Sequence, residues 1–224
     1  MDTRYLVHQL RMTSDQFINY CYLIEDTFTQ TALIIDPSWN LDKVVDLLQG
    51  RHLQLTAIAL THAHDDHVNL VVPLIERYHP VVYMSRTEIE FFAYTCEKLY
   101  PINDLDGIPF GDTKVLGLWT PGHTPGGMCF QLHDHLFTGD TLFSEGCGAC
   151  DLPGGSPEQM FDSIQRISKS LPGHTRIYPG HSYGIEPGKT IEEIKRYNIY
   201  LGFNREEFIE FRMKKKQNNQ LKFC

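Results

Sequence analysis

This chain of 224 residues is short of several things, and each shortage removes a class of function. No apolar run approaches the roughly 20 residues needed to cross a bilayer, so no membrane partner is expected. The opening Met1-Asp2-Thr3-Arg4-Tyr5 has no apolar signal-peptide region, which leads us to expect a cytoplasmic protein. Positive charge is scarce: 20 Lys and Arg face 28 Asp and Glu, a formal net charge of −8. That balance argues against a broad nucleic-acid surface. There is no linker and no solenoid-type repeat, so a single domain over residues 1–224 is expected. Six cysteines without an export signal read as thiols rather than disulfides. Cys147-Gly148-Ala149-Cys150 has no second C-x-x-C with which to build a structural zinc site. Nor does Leu152-Pro153-Gly154-Gly155 after it supply the helix start of a thioredoxin-like redox motif. These read as loop thiols, with Cys147 open to a substrate contact.

What the chain does have is one dense stretch, Thr61-His62-Ala63-His64-Asp65-Asp66-His67. It follows the apolar run Leu55–Leu60 and precedes Val68–Val72, a strand–loop–helix pattern. The cluster therefore stands at the C-terminal end of a strand, where α/β sheets place their chemistry. His62 and His64, two apart in an extended segment, project to one side and can share a metal. Asp66 and His67 fall where a helix begins, where a carboxylate is favoured by free N–H groups. They can face a second metal. Imidazole and carboxylate together suit zinc, and also iron or manganese. The alternative, a solvated polar loop, fits poorly with a position directly behind a buried strand.

Three more strand ends carry the same kind of residue. A loose edge strand over 4–12 precedes strands at 19–25 and 31–36, the second broken at Asp36-Pro37. Apolar residues at 41, 44, 45 and 48 mark a helix stopped by Gly50. After the strand at 55–60 come a helix over 68–78 and a strand at 81–84. Ser85 with Glu88 predicts a capping box opening a helix to about Leu99, and 103–113 reads as loop. Strand 115–119 delivers His123, and strands 128–132 and 136–138 deliver Asp140. A helix runs from Pro157 to about Leu171. Strand 176–178 delivers His181, and helices near 188–200 and 204–214 finish the chain. This order predicts an α/β fold, two mixed β-sheets flanked by helices. Five histidines and two aspartates at four strand ends suffice for two metal sites, with ions roughly 3.5–4 Å apart.

At this point the chain resembles the metallo-β-lactamase superfamily. Thr-His-x-His-x-Asp-His at 61–67, Pro-Gly-His at 121–123, Gly-Asp at 139–140 and Pro-Gly-His at 179–181 come in that family's order. The resemblance implies an αββα sandwich with its metals on one rim and two Zn2+ per chain. It implies His62, His64 and His123 on the first metal, Asp66, His67 and His181 on the second, and Asp140 as bridge. Within the superfamily the Gly139–Phe143 and Asp151–Ser156 segments, and Thr190 through Asn198, resemble glyoxalase II-like hydrolases. Ile199 replaces a Pro common there, the stretch after His181 is too short for their helical C-terminal domain, and the Cys147–Cys150 loop stands where many relatives carry an Arg. Those departures point away from glutathione. Cys-Gly-x-Cys-Asp-Leu-Pro-Gly-Gly at 147–155 is similar to the zinc-dependent hydrolases of bacterial trans-acyltransferase polyketide synthase clusters. That implies cleavage of acyl thioesters by metal-activated water, on an acyl carrier protein or a small thiol.

In this reading Asp66 is catalytic as well as a ligand, orienting the attacking water. Phe143, Tyr183 and Cys147 are candidate substrate contacts, with ordinary packing the alternative. A thiolate leaves without a strong general acid, since its conjugate acid has a pKa near 8.5. Lys195-Arg196 and Lys214–Lys216 are basic patches an acidic carrier protein could use. His8, His52, His79, His133, His135 and His174 read as structural or surface residues, and Asp65 as loop support. The rivals are a glyoxalase II-type glutathione thioester hydrolase, a non-enzymatic scaffold module of a biosynthetic complex, and a persulfide dioxygenase on the same fold, with one iron on His62, His123 and Asp140. An RNA-processing nuclease is opposed by the net charge.

Overall fold

Residues 4–14 and 18–214 are described by the structure, a computed structural model. Leu23, Ile34, Ile58 and Val82 face one side of a sheet while Ile24, Leu33, Ile35 and Ala59 face the other, and all are buried. A sheet covered on both faces needs such continuous apolar runs. The strands are β1 (Tyr5–Thr13), β2 (Ile18–Asp26), β3 (Thr31–Ile35), β4 (Gln54–Ala59), β5 (Val81–Ser85) and β6 (Leu99–Ile102), in that spatial order. The first three pair antiparallel, and β3 through β6 run parallel.

The second sheet holds β7 (Gly107–Phe110), β8 (Thr113–Trp119), β9 (Met128–Leu132), β10 (His135–Gly139), β11 (Arg176–Pro179) and β12 (Lys189–Thr190). Its order is β12-β11-β10-β9-β8-β7, with β10 and β11 parallel and the rest antiparallel. Phe130, Phe137 and Tyr178 face the first sheet; their chain neighbours Cys129, Leu136 and Ile177 face helices. Three apolar layers result. Val44 and Leu48 of α1 (Leu41–Gly50) and Leu74 and Ile75 of α3 (Val71–Tyr78) cover the first sheet. Met160, Ile164 and Ile167 of α5 (Pro157–Ser170) and Phe208 of α7 (Arg205–Met213) cover the second. Each such fully buried side chain contributes about 1.5–3 kcal/mol. The expected αββα sandwich is therefore observed.

Four expectations change. The helix foreseen over 68–78 is two, α2 (Asp65–Val68) and α3. Pro73 has no N–H to bond back to residue 69, so it is accommodated only in the first turn of a new helix. The helix after Ser85 is α4 (Arg86–Phe92), closed by Ala93 in the left-handed region at φ 48. Leu99–Ile102 is then free to pair with β5. The 103–113 segment contains β7. Both unforeseen strands are sheet edges, where Pro101 and Pro109 cost no ladder hydrogen bond. The helix near 188–200 is instead β12, the one-turn α6 (Ile191–Ile194) and a 3-10 turn at Ile199–Leu201. Asn198 breaks it by giving its amide to the carbonyls of Phe143 and Gly146.

Among the described residues no helix is long and apolar enough to cross a membrane. Lys215 and Lys216 of the basic run, the polar stretch after them and Cys224 lie outside the described residues.

Candidate metal centre

The C-terminal ends of β4, β8, β10 and β11 meet on one rim. The loop after β4 carries His62, and His64 is the N-cap of α2, with Asp66 in its first turn and His67 behind it. The other three loops bring His123, Asp140 and His181 to the same place. One ring nitrogen each from His62, His64 and His123 lie within 4.8 Å of one another, as do atoms of Asp66, His67 and His181. Asp140 stands between the groups. Its Oδ1 is 3.4 Å from His67 Nε2, and its Oδ2 is 3.6 Å from both His123 Nε2 and His181 Nε2. All seven residues expected as ligands thus converge.

The second nitrogen of each ring decides what the first can do. His123 Nδ1 donates to the Ala149 carbonyl at 2.7 Å, and His181 Nδ1 to the Ile18 carbonyl at 2.9 Å. The Thr61 hydroxyl gives its only proton to Asp36 Oδ2 at 2.6 Å, so it accepts from His62 Nδ1 at 3.0 Å. His67 Nδ1 donates to the same Asp36 oxygen at 3.0 Å. In all four rings Nε2 is left pointing at the cluster, the arrangement that an acceptor on the far nitrogen imposes on metal-binding imidazoles. His62 Nε2, His67 Nε2 and Asp140 Oδ1 are buried with no hydrogen-bond partner. His64 Nδ1 lies 3.0 Å from His123 Nε2. Buried acceptors so oriented need a cation or a proton among them, and nitrogen plus carboxylate donors fit zinc or iron.

The two groups differ in charge. Burial, with His67 and His123 beside it, holds His62 well below the ordinary imidazole range. Burial and His123 bring His64 down to about 4. Burial also lowers His67, but the carboxylates of Asp140, Asp36 and Asp66 overcome it and raise the ring to about 10. Asp66 is pushed up by burial, yet His181, His67 and the Asn19 amide pull it below the usual carboxylate range. Without an ion, burial and neighbouring imidazoles disfavour charge on His62 and His64, while the carboxylates favour it on His67.

Several residues that shape the site were not foreseen. Asp36 accepts from Thr61 N at 2.8 Å as well as from Thr61 Oγ1 and His67, so its oxygens are committed to orienting both rings. Its signal was present: a carboxylate directly after an apolar strand, the same rule that picked out Asp140. Asn19 donates to Asp66 Oδ2 at 3.0 Å and is itself held by Trp39 Nε1 at 2.9 Å. Gly180 leaves no room for a side chain, since a Cβ would stand 2.6 Å from both Asp140 Oδ1 and His67 Cε1. Glu88 does not close the expected capping box. Ser85 caps its N–H, but the carboxylate turns inward.

Beside the second group lies a cavity of about 210 Å³ lined by Phe143, Cys147, Tyr183, Tyr200, Phe211 and Arg212. The Phe143 ring packs against His181 at 5.9 Å and Tyr183 at 5.7 Å. The three candidate substrate contacts are therefore together. Burial pushes the Cys147 thiol far up and the Cys150 thiol to about 11, so both stay protonated. His133 sits in the β9–β10 turn, His135 opens β10, and His8 pairs with Glu25 at 2.7 Å. None of these joins the metal-type groups.

The family model described as the metallo-beta-lactamase superfamily matches residues 14–181, and the chain belongs to that superfamily. It is 46% identical over 224 residues, all of both chains, to a Bacillus velezensis protein named "Probable polyketide biosynthesis zinc-dependent hydrolase BaeB". It is 36% identical over 184 residues to the hydroxyacylglutathione hydrolase of Gloeobacter violaceus, covering 80% of this chain and 69% of that one. It is 32% identical over 206 residues to the mitochondrial persulfide dioxygenase ETHE1 of Bos taurus, covering 89% and 78%. Among solved structures, ETHE1 from Myxococcus xanthus superposes with a TM-score of 0.81 at 34% identity, covering 93% of this chain and 90% of that one.

Proposed function

We propose that this chain is a zinc-dependent hydrolase, one domain over residues 1–224, that cleaves acyl thioesters in polyketide biosynthesis. His62, His64 and His123 would hold one ion and Asp66, His67 and His181 the other, with Asp140 between the two groups. The observation that carries the reading is the tautomer set: four rings have Nδ1 tied to an acceptor and Nε2 aimed inward. The name of the Bacillus velezensis relative, identical at 46% over the whole length, supports the pathway.

Zinc bound there supplies Lewis acidity, which polarises a thioester carbonyl and lowers the pKa of water to about 7. The protein does the rest. Asp66, kept ionised and held in its rotamer by Asn19, orients the attacking water. Phe143, Cys147 and Tyr183 receive the substrate arm beside His181. The leaving thiolate needs no strong acid. The thioester is carried on an acyl carrier protein or a small thiol, and the setting is cytoplasmic.

A persulfide dioxygenase reading is favoured by the likeness to ETHE1. One iron on His62, His123 and Asp140, however, leaves the fixed tautomers of His67 and His181 without a use. Metal analysis of protein purified without added metal, run beside hydrolysis of an acyl-thioester panel, separates the two. About two zinc per chain with thioester cleavage supports the hydrolase. One iron per chain with oxygen uptake on a persulfide overturns it.

A further inference from the structure

Glu88 is a carboxylate with no exposure at all, on a helix that contributes no ligand. Its Oε1 accepts the Ala63 N–H at 2.9 Å, and its Oε2 accepts the Gly126 N–H at 2.9 Å. Ala63 lies between His62 and His64. Gly126 is three residues beyond His123. One side chain thus grips the two loops that deliver all three imidazoles of the first group, one loop from each sheet. The grip is close: a Cβ on Gly126 would stand 2.1 Å from the Glu88 backbone nitrogen. A backbone bond, Met128 N to the Thr61 carbonyl at 2.9 Å, also ties these loops. The second group is oriented by other residues, Asp36, Asn19 and the Ile18 carbonyl. None of those bonds involves Glu88.

We infer that Glu88 is a positioning residue that clamps the β4 and β8 loops and so sets the affinity of the His62–His64–His123 site alone. The inference rests on the two-ion reading of the centre. A carboxylate suits the task because both of its oxygens accept, while a glutamine offers one acceptor and must turn its amide toward a backbone N–H. Two like donors then face each other in a buried place, and the loops part. Loss of such an outer contact costs about 10–100-fold in metal affinity.

The test is a zinc titration of metal-free protein against a chelating indicator, for wild type, Glu88→Gln and Ser85→Ala. Ser85→Ala removes the cap of the same helix but leaves both loop contacts, so it reports what merely loosening α4 does. The expected result is two ions for wild type and for Ser85→Ala. Glu88→Gln keeps one ion at wild-type affinity and binds the other about 10–100-fold more weakly. Cobalt as the probe adds a spectroscopic readout, since loss of a three-imidazole site changes the visible bands of one ion only. Two ions at wild-type affinity in Glu88→Gln overturn the inference. So does equal weakening of both ions, or an equal effect of Ser85→Ala. Should Glu88→Gln not fold, Glu88→Asp keeps the charge but cannot span both N–H groups, and the same outcomes apply. A wild type that binds no zinc refutes the reading of the centre itself, which is a different failure.

Discussion

Asp36→Asn puts the tautomer argument at most risk. Asp36 spends its acceptors on Thr61 N at 2.8 Å, Thr61 Oγ1 at 2.6 Å and His67 Nδ1 at 3.0 Å. The asparagine amide has nearly the same shape but only one accepting oxygen. If that oxygen stays on the Thr61 N–H, the NH2 group comes to lie where Oδ2 was, between the Thr61 hydroxyl and His67 Nδ1. An NH2 group only donates, so Nδ1 must accept and the ring proton moves to Nε2. His67 then cannot give up its Nε2 proton to an incoming ion while keeping one on Nδ1, as Asp36 lets the wild-type ring do. If the amide flips instead, its NH2 meets the Thr61 N–H inside the protein, at a cost of about 1–3 kcal/mol. The flipped amide keeps the His67 tautomer and shows as lost stability; the unflipped one leaves the second ion bound about 10–100-fold more weakly, which is about 1.4–2.7 kcal/mol. The assay is competition with a chelating indicator, paired with urea unfolding of the metal-free protein to separate lost affinity from lost stability. Two ions retained at wild-type affinity, in a protein of wild-type stability, would mean that Asp36 does not set the His67 tautomer, and the argument would fall.

Three further outcomes are expected. Asp66→Asn should cut turnover far more than substrate affinity; normal turnover with metal bound, measured by steady-state kinetics, would remove Asp66 from the chemistry. Phe143→Ala opens the cavity beside His181 and should change the ranking of acyl thioesters by kcat/KM, whereas an unchanged ranking would assign Phe143 to packing. Asp26 is buried and grips Arg4 through both oxygens at 3.0 and 2.9 Å, and although burial opposes ionisation, those bonds hold its pKa at about 2. Its stabilisation, about 2 kcal/mol, is complete above the unfolded value near 4 and is lost as pH falls toward 2. Acid titration of metal-free protein stability should therefore show a slope between pH 4 and 2 that is flattened in Asp26→Asn.

The strands that lead into the candidate metal centre were legible because each is a buried apolar run ending in a chemically conspicuous residue, as at Leu60–His62 and Thr138–Asp140. β6 and β7 were not, being four-residue edge strands interrupted by proline, with too few residues for alternation to register. The helix expected over 188–200 failed because Asn198 answers to carbonyls more than fifty residues away, and no local pattern records that. Glu88 misled for the same reason. Its spacing from Ser85 suits a capping box, but two backbone N–H groups from separate sheets compete successfully for its oxygens.

The sequence by itself determined the metal-type residues, their order and their placement at strand ends, because strand burial and loop composition are local properties. It also determined the αββα layering, since runs buried on both faces and helices with one apolar stripe have few other ways to pack. Only the tertiary structure decided which nitrogen of each ring faces inward. That depends on Asp36, Thr61, Ala149 and Ile18, which lie on different loops and strands and meet the rings only when the two sheets close face to face. A histidine in sequence is two possible donors; the partner of its other nitrogen makes it one.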